Sequence, residues 1–157
     1  MLFYFTGTGN SLYVAKGLER QPISIPQVMH REDLIFSDDR IGIVAPIYGH
    51  EVPAMVREFL EKATFQTPYF YMILTYGNRH GGAAELAQEL CARCGIPVRY
   101  INLVHMVDNW LPVFDMEEEQ LAVIQTDVAQ KVAWIAPVTE ADRAAHQAFL
   151  AGMRLAP

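Results

Sequence analysis

Runs of consecutive apolar residues, rather than alternating ones, restrict what this chain can fold into. Residues 2–5, 41–45, 69–75 and 98–104 are apolar at nearly every position, and 23–25 is a weaker fifth run. A strand with one face in water alternates polar and apolar side chains. Continuous runs suit strands buried on both faces, as in a parallel sheet with helices on either side. The intervening stretches carry helical spacing. Leu12, Ala15 and Leu18 share a face within 10–20. Pro53 suits a first helical position, and Met55, Val56, Phe59, Leu60 and Ala63 then fall together. Leu86, Ala87, Leu90, Cys91 and Cys94 repeat the pattern, with Gly95 as the stop and Pro97 just beyond. Leu121, Ile124, Val128, Val132 and Ile135 predict a helix over 117–135, opened by Glu117, Glu118 and Glu119 where negative charge suits the dipole. Thr139 with Asp142 resembles a capping box opening a last helix over 139–155. Strands alternating with helices specify a doubly wound α/β fold.

The length of 157 residues matches one domain, expected to span 1–157 without a linker or repeat. Twelve Lys plus Arg against eighteen Asp plus Glu leave a formal charge of −6. That argues against nucleic acid or an anionic membrane surface as a partner, since both require clustered positive charge. Two cysteines cannot build a disulfide framework or ligate an iron–sulfur cluster alone. Cys91 and Cys94 have CxxC spacing but sit late on an apolar helix stripe, where thiols are core residues rather than redox centres. His30, His105 and His146 show no ligand spacing, so no metal is expected. The N-terminus lacks the basic start and long apolar region of a signal peptide, and no run reaches membrane-spanning length. A cytoplasmic location is the resulting expectation.

Chemistry concentrates in Thr6, Gly7, Thr8, Gly9, Asn10 and Ser11, between the first strand and the first helix. Such a junction gathers backbone N–H groups and the positive end of a helix dipole around one small volume. Glycine lets the backbone turn tightly enough for those groups to converge. The hydroxyls of Thr6, Thr8 and Ser11 add donors at a spacing that can ring an anion, and a turn that binds nothing would leave them without a role. A Walker loop needs a Lys before its last Ser or Thr, whereas Asn10 stands there and the first Lys is Lys16. A dinucleotide loop needs a third glycine where Leu12 stands. A hydroxyl-rich loop without a cation fits one terminal phosphate.

With these residues in hand, the chain resembles the flavodoxin family. Thr6-Gly7-Thr8-Gly9-Asn10-Ser11 matches the fixed positions of that family's Thr/Ser-x-Thr-Gly-x-Thr/Ser fingerprint. Together with Pro46-Ile47-Tyr48-Gly49 and Asp108-Asn109-Trp110, the wording is most similar to the flavodoxin half of anaerobe flavodoxin–ferredoxin fusions, over roughly 1–135. The cysteine-rich ferredoxin half is absent. The resemblance implies a five-stranded sheet in the order 2-1-3-4-5 and FMN as cofactor. It implies that two loops enclose the flavin ring: Pro46, Ile47, Tyr48, Gly49 and His50, and Tyr76, Gly77, Asn78, Arg79, His80, Gly81 and Gly82. Ligands in open parallel sheets sit beyond the carboxyl ends of the strands, which is where all three loops emerge.

Tyr48, Tyr76 and Trp110 are candidates for a stacking face. The resemblance also implies that a peptide near Gly49 turns over when the flavin gains a proton. His50, Glu51, Arg79 and His80 form a mixed to positive set, which would stabilise a reduced anionic ring or attract the phosphate of NADPH. The implied function is transfer of one or two electrons through FMN, to or from a redox partner protein. Two other readings stay open: an NAD(P)H-dependent FMN oxidoreductase acting on quinones or similar acceptors, and a non-redox binding module. A phospho-acceptor receiver domain is disfavoured, since no acidic pair follows the first strand.

Overall fold

In the computed structural model of the chain, residues 1–108 are described. The elements run β1 (Leu2–Tyr4), α1 (Asn10–Leu18), β2 (Ile23–Ser24), α2 (Ile25–Val28), β3 (Ile35–Ser37) and β4 (Ile41–Pro46). They continue with α3 (Ala54–Lys62), β5 (Thr64–Gln66), β6 (Phe70–Tyr76), α4 (Ala83–Arg93) and β7 (Val98–His105). The helices expected over 117–135 and 139–155 lie outside the described residues, as do Trp110 and His146.

Five strands form one parallel sheet in the order β2-β1-β4-β6-β7. Numbered among themselves, these five follow the order 2-1-3-4-5. The two strands that sequence patterning missed, β3 and β5, pair with each other in a separate parallel ribbon. Each has three residues, too short to show a periodicity. The central strands bury almost every side chain, as continuous apolar runs require. Phe3, Ile43, Met72 and Leu74 enter the larger core beneath α2, α3 and α4, while Leu2, Val44 and Ile73 enter a second core with Val14 and Ala15 of α1. The ring of Phe3 stands 4.6 Å from Phe36 and 5.1 Å from Phe59, so aromatic rings join the ribbon to the main sheet. Gly42 pairs in register with Tyr71, whose ring takes the space a side chain at 42 would need.

Three local expectations need correction. Ile25 opens α2 rather than closing a strand, because Pro26 behind it suits a first helical turn and not a ladder. Pro53 stands just outside α3 as its N-terminal flank. Met55 and Leu86, placed by spacing on the buried faces, are 38 % and 39 % exposed. Each lies near the start of its helix.

Cys91 is fully buried, with its thiol 3.5 Å from the Met72 sulfur. Burial pushes that thiol up to about 12 and also raises Cys94, so neither cysteine is held as a thiolate. Burial likewise pushes the Tyr71 phenol up to about 12. These groups stay protonated in the folded chain after their unfolded counterparts begin to ionise, near ~8.5 for a thiol. Stability is therefore complete below that range and falls as pH rises towards 12. Urea unfolding at a series of alkaline pH values is expected to show this decline, and Cys91→Ala is expected to flatten it. A slope unchanged by Cys91→Ala would disprove the assignment.

Candidate functional site

Because the main-sheet strands are parallel, the segments after β1, β4, β6 and β7 all emerge at one edge. There they enclose a cavity of about 630 Å³. The strand order reverses between β1 and β4, the position at which open α/β sheets bind ligands. Of the residues singled out by sequence, Thr6, Gly7, Thr8, Asn10, Ser11, Pro46, Ile47, Tyr48, Gly49, His50, Tyr76, Gly77, Asn78 and Arg79 line it. Gly9, His80 and Gly81 are absent from the lining. Thr75, Val107 and Asp108 are present in it and were not foreseen as site residues.

The loop between β1 and α1 is shaped by Gly9, whose φ of +104° lies in the left-handed region. Its N–H donates to the Thr6 hydroxyl at 3.0 Å, and its carbonyl accepts from Tyr13 N–H at 2.9 Å to start the helix. Ser11 departs from expectation. It is 1 % exposed, and its hydroxyl shares a hydrogen bond of 2.8 Å with that of Thr75 on β6. Ser11 therefore has a partner in the fold that spacing could not reveal, while it still lines the cavity with Thr6 and Thr8.

The turn after β4 is tight. Gly49 and His50 have φ of +59° and +71°, while the N–H groups of Tyr48 and Glu51 donate to each other's carbonyls at 2.8 and 3.2 Å. Two successive left-handed residues closed in this way make the turn type that ends a two-residue hairpin. Glu51 turns away to pair with Arg57 of α3. The His50 ring packs over Gly81, joining this turn to the loop after β6. His80 is likewise turned outward: its Nδ1–H donates to the Gly81 carbonyl at 2.7 Å. Its ring also meets the edge of Tyr76 at 5.2 Å. Tyr76 has His105 at 5.2 Å as well.

Residues 106–108 complete the wall. Met106 N–H donates to the Tyr76 carbonyl at 2.8 Å, extending β7 alongside β6. The Asn10 side-chain amide donates to the Val107 carbonyl at 2.8 Å, across 97 positions of sequence. Asp108 then lays its carboxylate over Gly77, in space left by the missing side chain. The lining thus holds Arg79, Asp108 and the His50 imidazole, a more balanced set than the loop sequences indicate. Asp108 was visible in the sequence beside Trp110, but nothing local marks a residue beyond the fifth strand as facing the first loop.

No family model matches the chain, and no curated protein matches it. Solved structures do. A candidate flavoprotein from Bacteroides uniformis superposes with a TM-score of 0.54 at 15 % identity, covering 78 % of this chain and 96 % of that one. Rubredoxin oxygen:oxidoreductase from the anaerobe Desulfovibrio gigas gives 0.51 at 12 % identity, covering 84 % of this chain and 35 % of that one. With the strand order, these likenesses define a flavodoxin-like α/β fold.

Removing the Ser11 hydroxyl leaves that of Thr75, only 2 % exposed, without its side-chain partner. Ser11→Ala is therefore expected to cost about 1–3 kcal/mol of stability, the penalty of an unsatisfied buried polar group. Gly49→Ala meets no neighbour within 4 Å, so its cost is conformational alone, about 1 kcal/mol. Urea denaturation of both variants measures the two effects. A Ser11→Ala protein as stable as the wild type would remove the folding role assigned to the hydroxyl pair.

Proposed function

We propose that the protein binds FMN in this cavity and acts as a flavodoxin-like redox protein transferring one or two electrons. The observation that carries the reading is one cavity lined by two chemically distinct sets of residues. One set is the hydroxyls of Thr6 and Thr8 and the amino end of α1, without a lysine in the loop. The other is Pro46, Ile47, Tyr48 and Tyr76, apolar and aromatic side chains from the segments after β4 and β6. A single phosphate matches the first set, since neutral donors and a helix dipole stabilise one terminal anion. A flat ring matches the second, and the volume falls in the ordinary range for cofactor sites. The description of the Bacteroides uniformis neighbour as a flavoprotein agrees with this.

On this reading the flavin supplies the redox chemistry, and the protein binds it, orients it and tunes its electrostatics. Thr6 and Thr8 donate to phosphate oxygens. Pro46 and Ile47 keep water from the ring. Asp108 accepts from a hydroxyl or N–H of the ligand while opposing added negative charge, and Arg79, also in the lining, favours it. FMN titrated into apo-protein is expected to bind far more tightly than riboflavin or FAD, with the visible spectrum of a bound flavin. Equal affinity for riboflavin would show that the loop contributes nothing and end the assignment.

A second reading rests on Arg79, an exposed cation in the lining. It suits the phosphate of a pyridine nucleotide, which would make the protein an NAD(P)H-dependent FMN oxidoreductase. Steady-state NADPH oxidation with a quinone separates the two. A carrier is expected to turn over slowly, whereas turnover of about 1–10³ per second that is lost in Arg79→Gln would establish the reductase.

A further inference from the structure

We infer that Tyr48 reads the phosphate end of the ligand through its hydroxyl, in addition to any contact of its ring. The inference rests on the proposed function, since it presumes that the loop at 6–11 takes a terminal phosphate.

The phenol end of Tyr48 reaches from the turn after β4 to the loop after β1. Its hydroxyl lies where a side chain on Gly7 would start, and its ring carbon Cζ is 3.7 Å from that point. Gly7, unlike Gly9, has no left-handed φ. The backbone there accepts any residue, so what requires glycine is the room that Tyr48 occupies. A glycine at this position is thus the imprint of the tyrosine on the loop.

The reach of Tyr48 is set rather than incidental. The reciprocal hydrogen bonds between Tyr48 and Glu51 hold its backbone, and the edge of its ring meets Phe5 at 6.5 Å and 82°. The residue is 49 % exposed and lines the cavity, and among the described residues no hydrogen bond engages its hydroxyl. A phenol O–H in this place is a neutral donor on the open side of the loop. It adds a phenol to the aliphatic hydroxyls of Thr6, Thr8 and Ser11 in the same lining. The ligand class is a phosphate monoester, held from the loop on one side and from the turn on the other.

The variant Tyr48→Phe keeps the ring and removes the donor. Full-length wild-type and variant proteins are titrated with FMN, riboflavin and inorganic phosphate, with thermal unfolding as the check on folding. Loss of a hydrogen bond to a charged group is expected to weaken FMN by at least about tenfold and to weaken phosphate, leaving riboflavin within about twofold. Gly7→Ala, made in both backgrounds, supplies the coupling. Its methyl displaces the phenol, so it is expected to weaken FMN in the wild-type background and to cost little once Tyr48→Phe has removed the hydroxyl. Unchanged FMN affinity in Tyr48→Phe, an equal loss for riboflavin, or equal Gly7→Ala costs in both backgrounds would each overturn the inference. A wild type that binds neither FMN nor phosphate would overturn the proposed function, and this inference with it; FMN binding indifferent to Tyr48→Phe overturns this inference alone.

Discussion

Ser11 and Thr75 are hydroxyl side chains buried in the body of the fold, 1 % and 2 % exposed, and they bond to each other. At such burial, the bond between them recovers hydrogen bonding that each hydroxyl gave up to water. The pair sets α1 against the end of β6 and thereby sets the loop at 6–9 opposite the loop at 76–79. One residue earlier, Asn10 fixes the third wall by donating to Val107. Two adjacent side chains at the start of one helix therefore register three of the four segments that enclose the cavity.

The fourth segment is held by different means. The turn after β4 is closed by its own backbone and carries two residues in the left-handed region, one of them His50. A non-glycine residue there stores conformational strain, which persists when the surroundings determine it. Here the His50 ring packs over Gly81, whose own φ is +55°. The turn and the loop after β6 thus support each other at a point where neither could carry a bulkier residue at 81.

Charge at the site follows from which side chains the fold turns inward. Four charged or titratable residues stand in the two ring-side loops, but Glu51 pairs with Arg57 and His80 bonds to Gly81. Arg79 and His50 remain in the lining, opposed by Asp108 from a segment distant in sequence. On the proposed reading, the balance among these three groups sets how much negative charge a bound ring can carry, since Coulomb interactions in a partly enclosed cavity exceed those in water.

The fold class was legible because continuous apolar runs have few uses other than central strands of a parallel sheet, and such strands put their following loops on one edge. The cavity lining at Thr6, Gly7, Thr8, Asn10, Ser11, Tyr48 and Tyr76 was legible for the same reason, since these residues closely follow those runs. The short ribbon of β3 and β5 was not, because three residues are too few to display a period. Nor were the partners of Ser11, the inward turn of Asp108, or the reach of Tyr48 to Gly7. Each depends on contacts between residues tens of positions apart. Local sequence determines which backbone forms, through side-chain volume, hydrogen-bonding groups and the freedom of glycine. Which partner a given hydroxyl such as that of Ser11 finds is decided only when the strands pair and the helix settles against them, because burial and distance are properties of the assembled chain.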